Sequence, residues 1–117
     1  MAIHTNLPIY RDAYRLFDVV MELQKNMPRE FKPSVGFKLR DECIEILTLV
    51  FRANTMRDRV GHLLDLIEHL SVAELLLRFA CDKRLISKAQ YAAAIELTTN
   101  VGKQANGWRR AATSPAS

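Results

Sequence analysis

Four stretches of the sequence place hydrophobic residues at the three- and four-residue spacing of amphipathic helices, and each ends at a recognisable breaker. In the first, Tyr10, Ala13, Tyr14, Phe17, Val20, Met21 and Gln24 recur on one side, with Arg11, Arg15, Asp18, Glu22 and Lys25 opposite. Pro8 suits its first turn, and Pro28 and Pro33 end it by restricting the residues before them. The second, over 37–54, has a stripe of Leu39, Cys43, Ile46, Val50 and Ala53. Phe37, Ile44, Leu47 and Phe51 widen that stripe to one side and Leu49 to the other, leaving Lys38, Asp41, Glu45 and Arg52 in a minor sector. That is more apolar surface than one core consumes, so this helix is expected to be covered by its own chain and by another copy. Ser34 is available to cap it.

The third stretch, about 57–83, turns Val60, Leu63, Leu66, Ile67, Leu70, Leu77 and Ala80 inward, while Leu75, Leu76 and Phe79 spread over other faces. It carries the same surplus, and Asp58 or Thr55 can cap its start. Glu74 and Arg78 fall at i and i+4 within its apolar sector, so either they pair or Arg78 reaches a ligand. Ser87-Lys88-Ala89-Gln90 is a capping box that opens the fourth helix. The inward residues of that helix, Tyr91, Ala94, Ile95, Thr98, Val101, Gly102 and Ala105, are mostly small and admit a neighbouring backbone closely, and Trp108 closes it.

Short connections make consecutive helices antiparallel, which predicts an all-α, up-down-up-down four-helix bundle over residues 8–110. A flexible arm, 1–7, is expected before it and a disordered tail, 111–117, after it. Its two ends collect basic residues. Arg11, Arg15, Arg52, Arg57, Arg59, Lys103, Arg109 and Arg110 fall at one, and Lys25, Arg29, Lys32, Lys38, Arg40, Lys83, Arg84 and Lys88 at the other.

Composition adds two constraints. The 117 residues, 49% of them hydrophobic, suffice for one core without cross-links, so Cys43 and Cys81 read as small buried hydrophobes. No apolar run approaches the roughly 18 residues of a membrane span, and the N-terminus has no secretory pattern, so a cytoplasmic protein with no membrane partner is expected. The net charge of +4 is unevenly spread. Residues 1–77 carry ten basic and eleven acidic side chains, whereas beyond them Arg78, Lys83, Arg84, Lys88, Lys103, Arg109 and Arg110 face only Asp82 and Glu96. These seven are the candidate contacts for a nucleic acid or an acidic partner, and self-association would repeat them about a symmetry axis.

Chemistry of other kinds finds little support. The glycines form no phosphate loop and no nucleophile motif is present, so the chain is not read as an enzyme and no cofactor is assigned. His62, Asp65 and His69 share a face, but the histidines lie two turns apart, roughly 10 Å at 1.5 Å per residue. A solvated polar face is preferred to a metal site. Tyr10, Tyr14, Phe17 and Trp108, at helical spacing, are read as core and not as stacking platforms for bases.

One resemblance draws these features together. The order and spacing of Leu7-Pro8-Ile9-Tyr10, Met27-Pro28-Arg29-Glu30, Phe51-Arg52-Ala53-Asn54, Leu75-Leu76-Leu77-Arg78-Phe79, Ser87-Lys88-Ala89-Gln90-Tyr91, Val101-Gly102-Lys103 and Gly107-Trp108 resemble the accessory variability determinants of diversity-generating retroelements. The related proteins encoded by intervening sequences of ribosomal RNA genes have a small-residue stretch where this chain reads 46–54, which favours the retroelement branch. The resemblance implies a homopentameric barrel that binds the element's reverse transcriptase and its RNA, or DNA, and supports mutagenic reverse transcription. It also implies that the second and third helices, through Ile44, Leu47, Phe51, Leu75 and Phe79, make the subunit contacts. The alternative is a structural oligomer of the intervening-sequence type in which the positive charge is incidental.

Overall fold

The structure is a computed structural model that describes residues 3–113. Four helices, α1 (Pro8–Asn26), α2 (Phe37–Thr55), α3 (Arg59–Asp82) and α4 (Lys88–Thr113), form a bundle about 50 Å long and 20 × 19 Å across. Each packs on two neighbours in the cyclic order α1, α2, α3, α4. One end holds the start of α1, the α2–α3 turn and the end of α4; the other holds the α1–α2 linker and the α3–α4 turn.

A single spacing rule selects the core. The buried residues of α1 are Ile9, Ala13, Leu16, Val20 and Leu23, those of α3 Leu63, Leu66, Leu70, Ala73, Leu77 and Ala80, and those of α4 Ala94, Thr98, Val101 and Ala105. Along α2 the same alternation of three and four runs through Leu39, Cys43, Ile46, Val50 and Ala53. This is the heptad row that lets facing helices interdigitate over their whole length. In α1 the row differs from the expected face. Tyr14 and Met21 are exposed, and Ile9, Leu16 and Leu23 take the interior. Either stripe satisfies helical periodicity, but aliphatic chains fill the narrow space between four helices, and the bulky rings are displaced to the flank.

The connections follow local chemistry. Met27 is extended, as a residue before proline prefers, and ends α1. A turn of 3-10 helix (Arg29–Phe31) and a π-type turn (Lys32–Gly36) then lead directly into α2. Ser34 therefore caps nothing: the Phe37 N–H already donates to the carbonyl of Lys32. Asp58 caps α3 by accepting from the Gly61 N–H at 3.2 Å. A Cβ on residue 61 would stand 2.2 Å from the Asp58 carboxylate, so a larger residue there would displace the capping side chain from its present position. The capping box at α4 forms reciprocally, Ser87 N–H to Gln90 Oε1 at 2.8 Å and Gln90 N–H to Ser87 Oγ at 3.0 Å. Gly102 brings α4 against Leu70, whose Cδ2 lies 3.3 Å from where a Cβ would be.

At both ends the described structure reaches beyond residues 8–110. Within the N-terminal arm, His4–Asn6 form a turn of 3-10 helix, and the His4 ring sits edge-on to Tyr10 and Phe51 with centroids 5.1 Å from each. The fourth helix continues past 110 to Thr113, and only 114–117 of the expected tail, like Met1 and Ala2, lie outside the described residues.

The α3–α4 turn holds a strained residue. Arg84 has φ 59°, its N–H donates to the Cys81 carbonyl at 3.0 Å, and the Leu85 N–H donates to that of Ala80 at 2.8 Å. This is a Schellman motif with arginine where glycine is preferred. Replacing Arg84 with glycine is expected to raise stability by about 0.5–1 kcal/mol, the relief of left-handed strain less the added freedom of the unfolded chain. Urea melts of the two proteins measure it.

Candidate functional site

The seven basic candidates divide between the ends. Arg78, Lys83, Arg84 and Lys88 surround the α3–α4 turn, while Lys103, Arg109 and Arg110 lie toward the far end of α4. Lys88 and Arg109 are roughly 30 Å apart along the helix at 1.5 Å per residue, so one protomer presents two separate basic surfaces.

At the α3–α4 turn an open groove of about 690 Å³ is lined by Arg84, Lys88, Asp82, Ser87 and Gln90 among others. Of the two alternatives for Glu74 and Arg78, the pairing does not form. Arg78 is exposed and its Nε donates to Asp82 Oδ1 at 3.3 Å, an interaction that raises its pKa further. Glu74 turns toward α4 and accepts from Thr98 Oγ1 at 2.8 Å. Helical periodicity placed both in one sector, yet a carboxylate beside α4 finds a buried hydroxyl, and the longer guanidinium extends to water. Lys83 places Nζ 5.8 Å from the Phe79 ring centroid.

The other end is richer in arginine. Arg59 Nε donates to the Ala53 carbonyl at 2.7 Å, and its guanidinium lies 5.2 Å from the Trp108 ring centroid. Arg109 donates from Nη2 to Asn106 at 3.3 Å, while its buried Nε has no hydrogen-bond partner. Arg11 and Arg15 are exposed. Among the described residues the ion pairs are Lys38–Glu42, Arg40–Asp41, His69–Glu42 and Arg78–Asp82, none of them at this end. The carboxylates here are occupied by hydrogen bonds: Asp12 accepts from Gln104 Nε2 at 2.7 Å and Asp58 caps α3.

Of the five expected subunit-contact residues, Leu75 (69% exposed), Ile44 (43%), Phe51 and Phe79 stand in solvent, and Leu47 is half-buried against the core. Phe37, Ile44 and Phe51 recur every seven residues and make one row on α2. Leu64 adds to Leu75 and Phe79 on α3. The row on α2 lies on its α1 side, since Phe51 contacts His4 and His4 contacts Tyr10. On α3, His69 reaches α2 and Glu74 reaches α4, which leaves Leu75 outermost.

Glu42 was not marked by the sequence, and it anchors the middle of the bundle. It is 5% exposed, with Oε2 2.6 Å from His69 Nδ1 and Oε1 3.5 Å from Lys38 Nζ. His69 therefore contacts a carboxylate of α2 instead of lying on a solvated face. Only the tertiary fold could reveal this pair, because its members are 27 positions apart. Among the described residues no group of three His, Cys, Asp or Glu is placed to hold a metal ion.

The described chain is thus an all-α four-helix bundle with basic residues gathered at both ends and apolar rows exposed on α2 and α3. The chain is a member of the bAvd-like family, whose model matches residues 8–112. This family comprises bacterial accessory variability determinants, so membership makes the protein a non-catalytic accessory component of a diversity-generating retroelement. Among curated proteins none matches the sequence. No helix of the described chain is long and apolar enough to cross a membrane.

The two thiols, both free, differ in environment. Burial, with a smaller contribution from the Glu42 charge, pushes Cys43 up to about 12, whereas Cys81 is half-buried beside the α3–α4 turn. Ellman's reagent near pH 8 is expected to modify Cys81 alone in the folded protein and both thiols in denaturant. Because Cys43 stays protonated when folded while the unfolded thiol ionises near 9.0, its contribution to stability is present below that pH and is lost as pH rises toward 12.

Proposed function

We propose that the protein assembles as a closed homo-oligomeric ring, a pentamer as in the retroelement reading, and in the cytoplasm presents its basic ends to the element's reverse transcriptase and to RNA or DNA. The observation that carries this reading is the pair of exposed apolar rows on different sides of one protomer. A single self-complementary patch favours a two-fold dimer, whereas two distinct patches favour a head-to-tail contact that closes into a ring. Because α2 and α3 are antiparallel with Glu42 level with His69, the two rows occupy the same lengthwise stretch of the bundle. Copies standing side by side would set Ile44, Leu47 and Phe51 of one level with Leu64 of the next, and Phe37 level with Leu75, with Phe79 just beyond it. Such a ring would gather the basic ends of all protomers at its two rims.

In this reading Arg78, Lys83, Arg84 and Lys88 form the contact surface at one rim and Lys103, Arg109 and Arg110 at the other. Arg84 supports the assignment, since a strained arginine in a glycine position contributes charge at the expense of stability. The rival reading, a structural oligomer whose charge is incidental, shares the ring and differs in its response to salt.

Binding of the purified protein to retroelement RNA is expected to weaken steeply as salt rises, and the pair Arg78→Glu with Arg84→Glu to weaken it roughly tenfold or more. Filter binding across a salt series measures both; a flat salt response, or unchanged binding by the double variant, would favour the structural reading. Ile44→Glu and Leu75→Glu are each expected to lower the oligomeric mass seen by light scattering. As exposed positions they should change protomer stability by only about 0.5 kcal/mol.

A further inference from the structure

We propose that the arginine-rich end is a site for unpaired nucleotides, with the Tyr14 ring as a stacking platform and Arg11 and Arg15 as its phosphate ligands. The inference rests on the nucleic-acid reading above and assigns part of that role to residues outside the seven basic candidates. Tyr14 lies between Ala13 and Leu16 of the core row, yet it is 55% exposed. Its ring is tilted 36° to that of Tyr10 with centroids 6.1 Å apart, so Tyr10 flanks it without stacking face to face on it. Arg11 and Arg15, one turn apart, are exposed and have no ion pair among the described residues. With Thr5, Tyr10 and Tyr14 they line an open groove of about 380 Å³, and with Pro8 and Asp12 a second of about 300 Å³ beside it. The only carboxylate of either groove is Asp12, which already accepts from Gln104.

The chemistry of the ligand follows from that arrangement. Ligand sites span roughly 300–1,000 Å³, so the first groove has room for a base and its sugar. An aromatic face stacks only on a base whose own face is open, which paired bases within a helix do not offer. Guanidinium groups grip phosphate through paired N–H donors and also stack on bases, which ammonium groups do less well. At this end Arg11, Arg15, Arg52, Arg57, Arg59, Arg109 and Arg110 are all arginine, with Lys103 the exception, whereas five of the eight basic residues at the opposite end are lysine.

The test is fluorescence anisotropy with labelled single-stranded RNA and DNA of about 12 nucleotides, and with the duplex of the same sequence, at fixed salt. Tyr14→Ala is expected to weaken single-strand binding roughly tenfold and to leave duplex binding unchanged, while Tyr14→Phe retains the affinity. Arg11→Ala with Arg15→Ala should weaken both and reduce the salt slope. Equal affinity for RNA and DNA would mean that bases and phosphates alone are recognised; a preference for RNA would add its 2′-hydroxyl. If the wild-type chain binds and Tyr14→Ala binds single strands equally well, the site is wrong and the basic-surface reading survives. If the wild-type chain binds no oligonucleotide, both fall. Should Tyr14→Ala lower the oligomeric mass, or lose the reverse transcriptase in a pull-down with oligonucleotide affinity intact, the ring is a protein contact and the proposal is overturned.

Discussion

The structure depends on the limited width of the space between four packed helices. Each helix sends one row of residues, alternately three and four apart, into that space, and the row is filled mostly by aliphatic side chains of moderate size. Among the described residues, every helix except α4 exposes large apolar residues beyond that row. The surplus has nowhere to go but outward, as Tyr14 and Met21 on α1, Phe37, Ile44 and Phe51 on α2, and Leu64, Leu75 and Phe79 on α3. The exposed apolar surface is therefore a by-product of what the interior refuses.

Buried and half-buried polar groups sit at the contacts between helices and fix how they align. Glu42 meets His69 across α2 and α3, Glu74 meets Thr98 across α3 and α4, and Gln104 meets Asp12 across α4 and α1. An apolar seam tolerates sliding by a heptad, whereas a buried carboxylate displaced from its partner would be left unsatisfied at several kcal/mol. Three polar crosslinks on three successive contacts define one register, and the exposed rows keep their positions relative to one another because of it.

Charge is organised by the same frame. Glu42 and Glu74 are engaged in these internal contacts, and at the arginine-rich end Asp58 is used as a cap and Asp12 as a hydrogen-bond acceptor. A net charge of only +4 thus leaves positive ends, since basic residues gather there and few carboxylates stand free beside them.

The sequence by itself determined the number of helices, their boundaries to within a few residues, the pair of cap candidates for α3, the capping box at Ser87 and Gln90, and the surplus of apolar surface on α2 and α3. All of these follow from residues a few positions apart, where spacing and local hydrogen-bonding chemistry act directly. Arg84 in a glycine position, the choice between adjacent stripes on α1, the Glu42–His69 pair and the redirection of Glu74 and Arg78 became visible only in the tertiary structure. A helical wheel records which residues share a face of one helix but not what stands opposite. Whether a ring enters the core, or a carboxylate finds a hydroxyl, is settled by the neighbour across the gap, and folding alone brings that neighbour there.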